Sequence, residues 1–269
     1  MTAIATRAPR VRPIGLPRAE TLKLRKRRGL LVTVALLTLV PMIIAYGILA
    51  ILHAANPGHH CPAGGVDNLG HGVSVLILLG GIAAVIAGAN AGADDITSGV
   101  FRELVVTGRS RVALFGARIP GGLLFLLPFT ACAYALSALV SGLANGYLAA
   151  PSVSLLTESG VWVLANASFY FVIGLGLASV TGSRAYTIGI LIAWRTVVSH
   201  ILLAISALGA SREAVPDVGF SRLAPHAIRE TVTDGPHIGA SLGTAVAVPV
   251  IWLVAAIAVG AWRTATRDA

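Results

Sequence analysis

Six stretches of this chain are each apolar for long enough to cross a lipid bilayer, and that repeated length constrains its fold more than any motif does. They are Leu30–Leu52, Gly72–Gly92, Ile119–Ala144, Gly160–Val180, Ala185–Gly209 and Ile238–Trp262. About 20 helical residues, at roughly 1.5 Å each, span the hydrocarbon layer, so each stretch predicts a transmembrane helix. Backbone groups in lipid must pair within their own segment, whereas barrel strands would be shorter and would alternate polar with apolar residues. Only 12% of the residues are charged, against about 25% in soluble domains, which leaves too little polar surface to face water on all sides. The expected fold is an all-α polytopic membrane protein with six transmembrane helices. It divides into a basic segment 1–29, a membrane domain 30–262 and a short tail 263–269.

The net charge of +9 raises nucleic acid as a partner, but the placement of the charges argues for a membrane surface. Nine Lys and Arg precede the first span, four lie in Ala93–Arg118, one in the Thr181–Arg184 link and two after Trp262. The opposite side has none in His53–His71, none in Asn145–Ser159 and three in Ala210–His237. This asymmetry predicts cytoplasmic N- and C-termini and a cytoplasmic Asp94–Arg111 connection. The run from Lys23 to Arg28 then fixes orientation and touches anionic lipid headgroups. The first span is too long for the apolar region of a cleaved signal, and no clear small-x-small site follows it. The Arg-rich, acid-poor start also fits an organellar transit peptide. Cys61 and Cys132 fall at different depths and are not expected to pair.

Motifs of chemistry are scarce. No GxxxxGK[ST] is present to cradle ATP phosphates, and neither HExxH nor GxSxG occurs. The spans hold almost no acids, which weakens the case for an ion-gradient-driven carrier or a membrane enzyme. Arg195 is the exception. It falls mid-span in AWRTVVSH, followed by Ser199 and His200, although Arg195 and His200 would lie about 140° apart on a regular helix. It reads either as a cavity-facing charge for an anionic or polar substrate, or as a structural arginine bonded to carbonyls or reaching a headgroup. His53, His59, His60, Cys61 and His71 crowd one outer loop but lack the ordered spacing of a metal site. Gly80, Ala84, Gly88 and Gly92 recur every four residues, a ladder that lets another helix, in the same or a second subunit, approach closely. Pro41, Pro128 and Pro249 predict local kinks.

The stretch DDITSGVFRELVVTGRSR, Asp94 to Arg111, carries three acids and three arginines between two spans. On a helix over 98–107, Val100, Phe101, Leu104 and Val105 share one face, with Arg102 and Glu103 pointing elsewhere. Gly108 supplies the stop. Helices that only lie on lipid are usually rich in Lys and Arg on the polar face. Balanced charges around a small apolar knob suit docking to a protein instead.

The stretch GADDITSGVFRELVVTGRSRVALFGARI resembles the signature region of ABC-2 type transporter permeases. Asp94 or Asp95 takes the family's acidic place at the end of the second span. Gly99-Val100 stands for its Gly-Thr pair, Leu104-Val105 for its two-leucine helix, Gly108 to Arg111 for its Pro-x-Ser-Arg turn, and Arg118 for its basic residue. Chain length, six spans and a long last outer connection extend the likeness. The resemblance implies the membrane subunit of a bacterial inner-membrane exporter, paired with a second permease copy or paralogue and with two separately encoded ATPase subunits. ATP and Mg would bind on those partners and not on this chain, which is not itself an enzyme. Asp95, Phe101, Arg102, Glu103, Leu104, Arg109 and Arg111 would form the ATPase-coupling element. The basic stretch to Arg28 would be an interfacial helix, and Ser211–His237 a partly re-entrant outer segment. A lipid-like, peptide or drug-like cargo is expected. The alternatives are a gradient-driven carrier and a non-transporting assembly or immunity component.

Overall fold

The computed structural model describes residues 15–97, 99, 110–233 and 238–266. Among these residues there are helices and turns but no strand. Helix α1 (Gly15–Lys26) leads into α2 (Arg28–Ala55), α3 (Val66–Thr97), α4 (Arg111–Leu143) and α5 (Val153–Thr181). A fifth long element, Arg184–Ala204, is α6 (Arg184–Ala193), one π turn (Trp194–Val198) and α7 (Ser199–Ala204). Four short pieces follow: a 3-10 turn (Ser206–Ala214), α8 (Pro216–Leu223), a 3-10 turn (His226–Ile228) and α9 (Arg229–Val232). Helix α10 (Leu242–Thr266) closes the chain. Six of these elements are long and apolar enough to cross a membrane, so the protein is an all-helical, multi-pass membrane protein.

The helices outrun the apolar windows because hydropathy registers hydrocarbon depth, while helix ends are set by capping. The Ser110 hydroxyl accepts from Ala113 N–H at 3.2 Å and starts α4 eight residues before Ile119. Ser152 does the same for Leu155 at 3.2 Å at the head of α5. Gly182, at φ 68°, ends α5 in the left-handed conformation that glycine adopts without strain. At the carboxyl end, α10 starts at Leu242 rather than Ile238 and runs on to Thr266. The fifth element stops at Ala204, five residues short of Gly209. The helical assignment continues through Pro41, Pro120, Pro128 and Pro249.

Helices α3 and α5 form the inner pair and share the most extensive contact in the molecule. The small-residue ladder explains how. A Cβ on Gly88 would sit 2.1 Å from the Phe171 carbonyl oxygen, and one on Gly92 would sit 2.5 Å from that of Leu175. Ala84 is fully buried. Gly88 and Gly92 are therefore spent inside this chain, against its own α5. Gly80 is different, because its nearest neighbour beyond α3 is the Thr38 methyl at 3.9 Å. Around this pair stand α2, α4, α6 and α10, which turn large apolar side chains outward, among them Ile43, Ile51, Leu124, Ile251 and Val254. Such surfaces are stable against acyl chains and not against water.

One end of the bundle is laced by a tyrosine. The Tyr46 hydroxyl on α2 donates to the Asn68 carbonyl of α3 at 2.9 Å and meets the Ser137 and Ser141 hydroxyls of α4 at 2.6 and 3.0 Å. At the opposite, basic end α1 packs along α4: Leu24 is fully buried, and the Thr21 hydroxyl donates to the Gly121 carbonyl at 2.9 Å. The segment 206–232, which overlaps the Ser211–His237 stretch expected to be partly re-entrant, folds back onto the helices. Its α8 buries Pro216, Val218, Gly219 and Phe220. Trp162 of α5 and Trp252 of α10 hold it by indole N–H bonds to the carbonyls of Phe220 (3.0 Å) and Ala214 (3.1 Å).

In a helix interior, Gly→Ala ordinarily stabilises by about 0.5–1 kcal/mol. Gly80→Ala is expected to leave the melting temperature of the detergent-solubilised protein unchanged or slightly raised. Gly88→Ala should lower it by several degrees, because its methyl would collide with backbone. Circular dichroism melting of the two variants side by side checks this.

Candidate functional site

Two polar constellations break the apolar interior. The first closes the basic end. Asp94 and Asp95 lie in the last turn of α3, where the negative end of the helix dipole disfavours them, and both side chains are nearly fully buried. Successive helical positions point about 100° apart, so the two carboxylates face different neighbours. Asp95 receives Lys23 Nζ of α1 at 2.9 Å and Arg118 Nη2 of α4 at 2.8 Å. Asp94 receives Arg27 Nη1, from the residue joining α1 to α2, at 2.7 Å, with Arg184 at the start of α6 4.0 Å away. Glu20 adds a further carboxylate beside Lys23. Arg118 is 1% exposed and also donates to the Gly92 carbonyl at 3.4 Å. Buried ions are tolerated only where paired and hydrogen-bonded. Here two adjacent acids gather cations from the amino-terminal helix, its junction with α2, α4 and α6.

Arg111 lies near this knot in sequence but bonds elsewhere. Its Nη1 donates to the Ala265 carbonyl in the last turn of α10 at 3.2 Å, a favourable place for a cation at a helix carboxyl end. Both roots of the connection between α3 and α4 are thus tied to other helices. Of the expected coupling residues, Asp95 and Arg111 take these positions, whereas Phe101, Arg102, Glu103, Leu104 and Arg109 lie outside the described residues.

The second constellation surrounds Arg195, about 16 Å along α3 from its Val66 end by helical rise. Arg195 sits in the π turn, where the Ser199 N–H bonds to the Trp194 carbonyl five residues back. The extra residue in such a turn draws positions five apart toward one face. Arg195, Ser199 and His200 accordingly line a single cavity of about 400 Å³, although a regular helix would separate the first from the last. Ser199 is buried and donates back to the Arg195 carbonyl at 3.1 Å, while His200 is exposed.

The Arg195 guanidinium lies between the Tyr170 ring, 4.1 Å from its centre, and Gly81, where a Cβ would come within 2.8 Å of Cζ. Only glycine leaves room for it there. Its Nη2 donates to the Ile77 carbonyl at 2.7 Å, while Nε and Nη1 are buried with no partner among the described residues. Tyr170 donates its hydroxyl proton to Asp217 Oδ1 at 2.7 Å, and Asp217 Oδ2 is likewise buried without a partner. Asn166 and Trp162 of α5, with Arg222 and Arg229 of the folded-back segment, complete the polar walls.

Sequence reasoning found Arg195, Ser199 and His200 but missed Tyr170, Asp217, Asn166 and Gly81. Asp217 lies outside every apolar window, and α8 brings it to Tyr170 of α5. Among the described residues no group of three or more His, Cys, Asp or Glu could hold a metal ion. The crowded outer loop instead bonds to itself, His53 Nδ1 lying 2.7 Å from the His60 carbonyl oxygen. Compared with protein-family models and with curated proteins, the sequence matches none.

Removing one partner from a buried ion pair costs about 3–5 kcal/mol, whereas replacing both by apolar residues is often neutral. Asp95→Asn should therefore depress thermal stability strongly and expose α1 to protease. The double replacement Asp95→Leu with Arg118→Met should recover most of that loss in the same melting and proteolysis assays.

Proposed function

We propose that this chain is the membrane-spanning permease subunit of an ATP-driven exporter of the ABC-2 type, working as a dimer with separate ATPase subunits at a bacterial inner membrane. The observation that carries the reading is the anchoring of the connection between α3 and α4. Its roots are fixed by the Asp94–Asp95 knot on one side and by Arg111 on the other. A push delivered between them would reach α1, α4, α6 and α10 together. The sequence sets Phe101 and Leu104 among charges of both signs, a pattern that suits a protein partner. The excess of Lys and Arg at this end supports its placement in the cytoplasm, where ATP is found. Membrane lipids contact the outer helices, and ATP and Mg belong to the partner. The cavity at Arg195, toward the opposite end, is the candidate cargo pathway.

Asp217 favours a second reading, because a gradient-driven carrier uses a membrane-embedded carboxylate to titrate or coordinate. Such a carrier would transport in vesicles without any ATPase and would stop with Asp217→Asn.

The test of the leading reading is Phe101→Ala with Leu104→Ala in the full complex. ATPase capture in a pull-down should fall by at least ten-fold, and ATP hydrolysis should uncouple from transport. Undiminished capture and coupling would overturn the docking role.

A further inference from the structure

The cavity at Arg195 is not the only hollow in this region. A second space of about 360 Å³ lies among α5, α6 and α10, with walls that include Phe169, Ile173, Leu177, Leu191 and Trp252. It is almost wholly apolar, and several of its wall residues are exposed at the lipid-facing surface. The two spaces share a partition. Trp194 lines the apolar groove while its neighbour Arg195 lines the polar cavity, and Pro216 and Asp217 divide in the same way. Between these pairs stands Tyr170, one of the groove's walls, with Arg195 stacked on its ring and Asp217 on its hydroxyl.

The polar side is short of negative charge. Arg195, Arg222 and Arg229 face it with one carboxylate, Asp217, whose Oδ1 is already taken by Tyr170. Arg229 spends two donors on the Ala224 carbonyl. Arg195 is 92% buried and keeps two guanidinium nitrogens, Nε and Nη1, without acceptors among the described residues, and the buried Asn166 lines the same cavity. Unmatched donors in a buried site favour a ligand that brings acceptor oxygens and negative charge. Arginines held this deep in a membrane protein face a cavity or pathway rather than lipid.

Resting on the export reading, we propose that the cargo site binds an anionic amphiphile. Its phosphate- or carboxylate-type head sits with Arg195, Asn166 and Arg222, and its single apolar chain lies past Tyr170 in the groove lined by Trp194 and Trp252. The π turn serves this division, since it turns Arg195 to the cavity while leaving Trp194 on the groove. Head and tail are recognised separately, so neither a free anion nor a neutral amphiphile satisfies the site.

The groove's tryptophans provide the readout. The purified chain, without any ATPase, is titrated in neutral maltoside micelles with dodecyl phosphate brominated at its terminal carbon. Bromine quenches indole fluorescence on contact. Saturable quenching is expected, reversed by unbrominated dodecyl phosphate but not by inorganic phosphate, whereas brominated dodecanol should quench only in proportion to its partition into the micelle. Arg195→Gln should raise the half-quenching concentration at least ten-fold, the exposed Arg222→Gln about three-fold, and Ala255→Phe should remove saturation by filling the groove. If Arg195→Gln does not fold, the other two variants carry the test. The proposal is overturned if brominated dodecanol saturates equally, if inorganic phosphate competes as well as dodecyl phosphate, or if the folded variants all bind as wild type. Failure here leaves the ATPase docking result untouched, since no partner is present in the titration.

Discussion

The close approach of α3 to α5 is the constraint from which the rest of the architecture follows. Lipid offers no hydrophobic drive to bring two apolar helices together, so their contact must come from packing and from polar bonds between them. Gly88 and Gly92 let the α5 backbone come closer than any side chain would allow. With that pair set, α5 presents Trp162, Asn166 and Tyr170 on one flank, while α3 offers the Ile77 carbonyl and the bare surface of Gly81. Arg195 occupies the space so created. The same α3 ends, about 27 Å farther on by helical rise, in the aspartates that gather α1, α4 and α6.

The two polar constellations handle buried charge in opposite ways. At the basic end Glu20, Asp94 and Asp95 each have a cation in reach, and Arg118 is sealed from solvent with only its Nε unpartnered among the described residues, so the knot reads as a structural clamp. Around Arg195 the balance is incomplete. One guanidinium edge bonds a carbonyl, its face stacks on an aromatic ring, and the remaining N–H groups have no acceptor. A cation over an aromatic face gains about 0.5–2 kcal/mol, less than the several kcal/mol that burying an ion costs. That shortfall is the observation on which the proposed cargo site rests.

The folded-back segment 206–232 supplies much of that cavity's wall. Its two indole anchors, from Trp162 and Trp252, join it to α5 and α10, so α8 forms part of the wall between polar cavity and apolar groove. Asp217 and Pro216, adjacent in the chain, face the two different spaces. A movement of α8 would therefore change both at once.

The sequence by itself determined the class: six apolar lengths, an acid pair at the end of the second span, a charged asymmetry and one arginine out of place. Those features are local, since hydrophobicity, helix length and charge count need no knowledge of neighbours. It also showed the glycine ladder, though not that Gly88 and Gly92 face α5 of the same chain. Only the tertiary structure decided which cations meet Asp94 and Asp95, because Lys23 and Arg118 stand 72 and 23 residues away from Asp95. It alone placed Asp217 against Tyr170 and Tyr170 against Arg195. A π turn moves a residue around its helix without changing composition, and expecting a partly re-entrant segment does not say which of its side chains meet which helix. Contacts between distant parts of a chain are set by packing, and periodicity within one helix carries no record of them.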